Sequence, residues 1–311
     1  MSQSNYRRGP DLFWPIILIG VGVILLLVNL NVITGNPWPI ILNLWPVILI
    51  VIGLDILFGR RSLLGGAVGA LLGLLLIGGI IVLLIVQPNW PGFNFGNATL
   101  QTRHITTPLN QIQTADVSIN FTSGQNRLYA LTDSDKLIDG DVSYYGDLTF
   151  DVNASNDRAN VRIDSRWSGF TFGSLGGGEK WDIGLNTKPA YNVTLDMGSG
   201  GSNLDLSQLT VTGGTVNMGS GGVELRLPAS GKYTLRVDGG SGSLHIRVPG
   251  DVGLRVEYQR GSGGFDPTSR LSVVSGEQGR DATYETENFG TAANTITLNI
   301  DGGSGSISVG E

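Results

Sequence analysis

The chain has 311 residues, no cysteine and a formal net charge of −6, which excludes disulfides, thiol chemistry and thiolate metal sites. Its charge is unevenly divided: residues 1–96 hold four Lys/Arg and two Asp/Glu, whereas residues 97–311 hold sixteen and twenty-four. An acidic second part with no basic face excludes strong nucleic-acid binding, because phosphates require compensating cations.

Residues 1–96 read as a transmembrane region. Three apolar stretches occur in order, about 12–30, 40–58 and 63–86. Each has about the 20 residues a helix needs to cross a hydrocarbon core of roughly 30 Å, the third with some tilt. None shows the polar face of an amphipathic core helix. The first stretch is too long for a signal peptide and no small-x-small cleavage site follows it, so the sequence predicts that it stays in the membrane. Arg7 and Arg8 precede the first span, Arg60 and Arg61 separate the second from the third, and the loop 31–39 has no basic residue. The positive-inside rule then places the N-terminus and the Arg60–Arg61 loop in the cytoplasm. After three spans, residues 97–311 lie outside the cytoplasm. Trp14, Trp38 and Trp90 stand near span ends, where indole favours the headgroup region. The stretch from Gln87 to Gly96 contains Pro88 and Pro91 and reads as an interfacial collar that ends the third helix.

The first two spans repeat each other: Trp14-Pro15-Ile16-Ile17-Leu18-Ile19 returns as Trp45-Pro46-Val47-Ile48-Leu49-Ile50. Asp55 is the only acid within the spans. It suits an interfacial ion pair with Arg60 or Arg61, or alternatively a proton or ion site. Gly65, Gly69 and Gly73 share one helix face in the third span and permit close backbone approach. They fit packing against the first two spans, or self-association or docking on a partner's helix.

From Arg103 onward short alternating segments are punctuated by Gly, Asn, Asp and Ser, the pattern of strands and turns. Residues 97–190 form an N-terminal portion of this β domain; within it Ser118–Gly124 resembles a corner and Leu175–Trp181, with three glycines, reads as a mobile loop. Residues 191–311 carry a repeat. Gly-Ser-Gly begins at Gly198, Gly219, Gly240 and Gly261, twenty-one residues apart, and again at Gly303, two periods on; the copy due near Ala282 is degenerate. Apolar columns such as Leu195, Val216, Val237 and Tyr258 keep the same step. A fixed period of this size marks a stacked array. The predicted fold is therefore multi-domain: three α-helical spans, then an all-β domain built as a β-solenoid-like sheet stack with Gly-Ser-Gly corners. Asp196, Asn217, Asp238, Gln259 and Asp301 stand just before the corners, and in-register stacking would line carboxylates and amides in one ladder.

The residues carry no catalytic constellation and no cofactor site. His104 and His245, the only two histidines, read as surface residues. Calcium-binding β-rolls use a nine-residue repeat with an Asp after the glycines, whereas Gly or Ser stands there in Asp238-Gly-Gly-Ser-Gly-Ser243. No metal is expected.

The doubled Trp-Pro-aliphatic spans resemble the transmembrane region of LiaI- and LiaF-like bacterial envelope proteins. The Asp-Met-Gly-Ser-Gly-Gly and Asn-Met-Gly-Ser-Gly-Gly corners resemble the toast-rack β domain, related to β domains of adhesins. The resemblance implies a non-enzymatic accessory or regulatory protein of the cell envelope, answering envelope stress through a membrane partner such as a histidine kinase. The alternative is a surface adhesin or structural protein whose spans only anchor it. Expected partners are membrane lipid, a membrane protein and, through the third span, a second copy.

Overall fold

The structure is a computed structural model that describes residues 13–30, 49, 71, 73–82, 100–121, 124–166 and 178–311. The chain divides into two compact units, Met1–Ala98 with Ser168–Leu175 and Thr99–Trp167 with Gly176–Glu311.

In the first unit α1 spans Phe13–Asn29. Pro15 falls in its first turn, where the missing N–H breaks no helical bond. Residues 73–82 are also helical. Ile77 lies over Gly20 of α1, where a Cβ would collide with its side chain. Ile24, Leu76 and Ile80 are buried, yet Leu18, Ile19, Leu25, Leu26, Leu74 and Leu75 are exposed. These helices are thus aliphatic on their outer faces too, unlike helices on a water-facing core. No helix among the described residues is long and apolar enough to cross a membrane, a statement about helices alone. Three spans were expected, and the described helices do not amount to them: α1 has 17 residues, about 25 Å of helix. The stretch 40–58 lies outside the described residues except for Leu49.

The second unit is all β. In chain order its strands are β1 (Gln101–Pro108), β2 (Thr114–Asn120), β3 (Gln125–Leu131), β4 (Lys136–Tyr144), β5 (Asp147–Ser155), β6 (Arg158–Arg166) and β7 (Lys180–Asn186). Then come β8 (Ala190–Asp196), β9 (Gly201–Asp205), β10 (Thr210–Asn217), β11 (Gly222–Arg226), β12 (Lys232–Asp238) and β13 (Ser243–Arg247). The last are β14 (Gly253–Gln259), β15 (Gly264–Pro267), β16 (Leu271–Gly276), β17 (Ala282–Thr286), β18 (Thr295–Asp301) and β19 (Ser306–Gly310). Fourteen of these form seven two-strand coils. The first strand of each coil lies in a ten-stranded sheet and the second in a nine-stranded sheet.

The coils stack in the order β6/β7, β2/β3, β8/β9, β10/β11, β12/β13, β18/β19, β14/β15. Neighbouring coils pair in parallel in both sheets. Antiparallel strands close the stack, β5 with β4 and β1 at one end, β17 with β16 at the other. Parallel pairing runs from β2 directly to β8, so no sheet boundary falls between residues 190 and 191.

The register follows the sequence period. Leu195, Val216 and Val237 lie opposite one another in successive strands. Ile300, three periods beyond Val237, comes next, and Tyr258 lies beyond Ile300. The solenoid expected from the repeat would stack its coils in sequence order. Instead the last coil fills a slot between the third and fourth repeat coils. The degenerate copy at Ala282 is not a coil. It is β17, running antiparallel to β14 with Ala282 opposite Tyr258. Periodicity detects its buried Ala282 and Tyr284 but is blind to strand direction.

One core fills the space between the sheets, with Leu195, Val216, Val237 and Ile300 from one side and Leu204, Leu225, Ile246 and Val309 from the other. Residues between them in sequence face outward and are polar, the period-two alternation of a half-buried sheet. Trp181, expected in a loop, lies in β7 and is fully buried, its ring 5.8 Å from that of Phe121.

Candidate functional site

The repeat brings together a ridge of corners. Gly198, Gly219, Gly240, Gly303 and Gly261 stand in that order along the stack. A Cβ at Gly219 would collide with the carbonyl of Gly198, at Gly240 with that of Gly219, at Gly303 with that of Gly240, and at Gly261 with that of Gly302. Glycine is required by close approach of stacked backbones; none of these five has positive φ. Corner backbones bond corner to corner: the Gly242 N–H donates to Gly219 O at 3.1 Å, Gly305 N–H to Gly240 O at 3.0 Å, and Gly263 N–H to Gly303 O at 2.9 Å. Ser199, Ser220, Ser241, Ser304 and Ser262 crown the ridge, all exposed.

Beside the ridge runs the ladder. Its order is Asp196, Asn217, Asp238, Asp301, Gln259. Asn120 and Asp164 extend it beyond Asp196. Asn217 Nδ2 donates to Asp196 Oδ1 at 2.5 Å, and Asn120 Nδ2 to Asp164 Oδ1 at 3.0 Å. Acid and amide therefore alternate from Asp164 to Asp238. The inserted last coil breaks the alternation, because it sets Asp301 directly against Asp238. Arg236 compensates: its Nε donates to Asp238 Oδ2 at 3.2 Å, its guanidinium lies 2.8 Å from Oδ1, and this hydrogen bond, with the Asp238 charge, raises its pKa. An open cavity of about 410 Å³ lies at the break, lined by Arg236, Glu257, Gln259, Asp281, Asn299 and Asp301 among others.

The outer face of the nine-stranded sheet holds a second network. Glu224 Oε1 accepts from Arg226 and Arg247, both at 2.9 Å, and Arg226 reaches Asp205 at 3.5 Å. Those hydrogen bonds, Arg226 first, hold the Glu224 carboxyl below its ordinary range. His104 Nδ1 lies 2.9 Å from Asp141 and its Nε2 3.3 Å from Asp139. Lys136, at 2.8 Å, depresses the Asp139 carboxyl by hydrogen bonding. His245 Nδ1 is 2.6 Å from Ser308 Oγ. Among the described residues no group of three His, Asp or Glu converges on a point that could hold a metal ion.

Gly73 is buried in the helical segment 73–82. Gly65, Gly69, Asp55, Arg7, Arg8, Arg60 and Arg61 lie outside the described residues. Sequence reasoning missed Gly20 as a packing position and Asn120 and Asp164 as ladder members. A signal for Asn120 existed: Asn120-Phe-Thr-Ser-Gly124 parallels Asp196-Met-Gly-Ser-Gly200, and the register aligns them.

A two-sheet stack of parallel coils, in one chain with a separate aliphatic helical unit, defines the class of protein. Residues 96–247 match the family model for the N-terminal domain of toast_rack, and residues 12–57 match that for the LiaI-LiaF-like transmembrane region. The chain is thus a LiaI-LiaF-like transmembrane region followed by a toast-rack β domain. No curated protein matches it. A "putative cell adhesion protein" from Clostridium sporogenes ATCC 15579 is 20% identical over 68% of this chain and 99% of its own, with a TM-score of 0.56. That likeness is one of fold. A "putative adhesin" from Bacteroides fragilis NCTC 9343 is 13% identical over 68% of this chain and 98% of its own, with a TM-score of 0.26.

Proposed function

We propose that the chain is a non-enzymatic accessory or regulatory protein of the cell envelope, anchored in the membrane by its N-terminal region. The observation that carries this reading is the union, in one chain, of a LiaI-LiaF-like transmembrane match with a toast-rack match. The aliphatic outer faces of the described helices support it, since lipid rather than water suits them. In this reading the N-terminus is cytoplasmic, the β unit lies outside, and the helical region docks a membrane protein such as a histidine kinase. Gly73 is buried within the chain, which favours packing inside the helical region over docking for that glycine.

A second reading, an adhesin merely anchored by its spans, draws on the fold it shares with the clostridial protein. Exchanging residues 12–86 for unrelated spans separates the two. A protein that docks through its spans loses in-membrane cross-linking to its partner and its effect on envelope-stress signalling; an anchored adhesin keeps its function. Orientation is read with a cysteine at the exposed corner position Ser262. Labelling by an impermeant reagent in intact cells is expected, and labelling only after membrane rupture would reverse the topology.

A further inference from the structure

Two open sheets have four edges, here β1 and β15 in one sheet and β5 and β16 in the other. An edge strand offers unpaired N–H and C=O groups to any passing strand, so proteins guard edges with charge, proline or brevity. Three of these edges are guarded. β1 carries Arg103, His104 and Pro108, β5 carries Asp147 and Asp151, and β15 has only four residues, among them Asp266 and Pro267. The fourth differs. β16 reads Leu271-Ser-Val-Val-Ser-Gly276, without charge or proline, and five of its six residues are exposed. Val273 and Val274, 38% and 55% exposed, are with Leu100 the exposed large apolar residues among the described residues of this unit.

A bulge is itself a guarding device, and the register of β16 on β17 does step between Val273 and Ser275. Yet the extra residue is Val274, the more exposed of the two valines. The bulge presents an apolar side chain rather than withdrawing one.

The sequence of the strand indicates what covers it. Ser272-Val273-Val274-Ser275 reads the same in both directions. Two copies running antiparallel about a two-fold axis between Val273 and Val274 set valine against valine and serine against serine. Continued outward, the same register sets Arg270, held in its own chain by Pro249 O, Val252 O and Glu311, opposite Glu277 of the partner subunit at both ends, so that unlike rather than like charges meet there. A two-fold contact of this kind closes at two copies. We propose that β16 is a dimerisation edge, at which two copies of this chain join their ten-stranded sheets by antiparallel β16–β16 pairing.

The test uses the full chain in detergent micelles or lipid vesicles. The protein has no cysteine, so a single one reports cleanly. Val274 flanks the axis directly, and Val274→Cys is expected to give an oxidative product of twice the chain mass. Thr102→Cys on β1 and Thr149→Cys on β5 are expected to stay monomeric. Val274→Lys should weaken dimerisation about tenfold or more, as lost apolar contact and two buried like charges demand, without changing the β circular-dichroism signal. Glu277→Arg, on an exposed turn, should weaken it too and stands as the second probe if Val274→Lys disturbs folding. The proposal is overturned by an absence of the double-mass product, by cross-linking to a chain of another mass, or by a dimer that both charge variants leave intact.

Discussion

The coils from β8/β9 to β14/β15, with β18/β19, and the coils β2/β3 and β6/β7 share one stacking geometry without sharing one sequence rule. The first group turns every corner with Gly-Ser-Gly. The coil β2/β3 uses Phe121-Thr122-Ser123-Gly124 between Asn120 and Gln125. The coil β6/β7 has fifteen residues between Asp164 and Lys180, the positions that lie opposite those two. The pairing register passes from one group to the other without a break. The stack itself therefore demands only inward apolar alternation and aligned strand ends. Gly-Ser-Gly is a local demand of corners that sit directly on one another.

The largest expected effect comes from removing residues 295–311. Their absence leaves β12 and β14 facing an empty slot, with the core residues Ile296, Leu298, Ile300, Ile307 and Val309 gone. Loss of cooperative melting and of protease resistance of the β unit is expected. A truncated chain that melts cooperatively near the parent temperature would mean that β14 can close onto β12.

A smaller effect distinguishes corner glycines from other glycines. Gly240→Ala drives a Cβ into the carbonyls of Gly219 and Met218, backbone atoms with no room to yield. A loss of about 3 kcal/mol is expected, the size of other strained-backbone substitutions. Gly264→Ala meets nothing within 4 Å and should change stability by no more than about 0.5 kcal/mol. Denaturant midpoints check both; equal effects would remove the distinction.

The smallest effects lie in the ladder. Asn217→Asp sets a third carboxylate between Asp196 and Asp238 and should cost about 1 kcal/mol at neutral pH. Like charges raise the pKa of the new carboxyl in the folded state. Stability relative to the parent is then highest below the unfolded value of about 3.9 and falls as pH rises through the raised folded value. Asp301→Asn restores alternation at the break and should gain about 0.5 kcal/mol. Denaturant midpoints at acidic and neutral pH read both signs, and a pH-independent cost for Asn217→Asp would argue against carboxylate repulsion.

Pitch and register of the Gly-Ser-Gly coils were legible in the sequence because each step between them is a multiple of one period, and the columns through Val216 and Leu225 report it directly. Coil order was not legible. Ile300 fits opposite Val237 or beyond Tyr258 equally well by period, and only long-range pairing chooses between them. The hairpin of β16 and β17 escaped notice because Ala282 keeps the apolar column while its strand runs backwards. Trp181 was hidden by the glycines before it, which suggest a loop where a buried strand begins. The break of the ladder at Asp238 and Asp301 follows from coil order and so could not be foreseen.

The slot filled by β18/β19 also bears on how the unit comes into being. A ribosome delivers the chain from its N-terminus, so β14/β15 is made before its parallel neighbours exist. Until residues 295–310 arrive, β14 has only the hairpin strand β17 beside it. Contacts that span sixty-three residues, as between Val237 and Ile300, form slowly because a long loop must close first. A partly made chain thus displays two open parallel edges and an unfinished core, the surfaces that chaperones and proteases recognise. Of the coils described, β18/β19 is the one made last, and it is the one that joins β12 to β14.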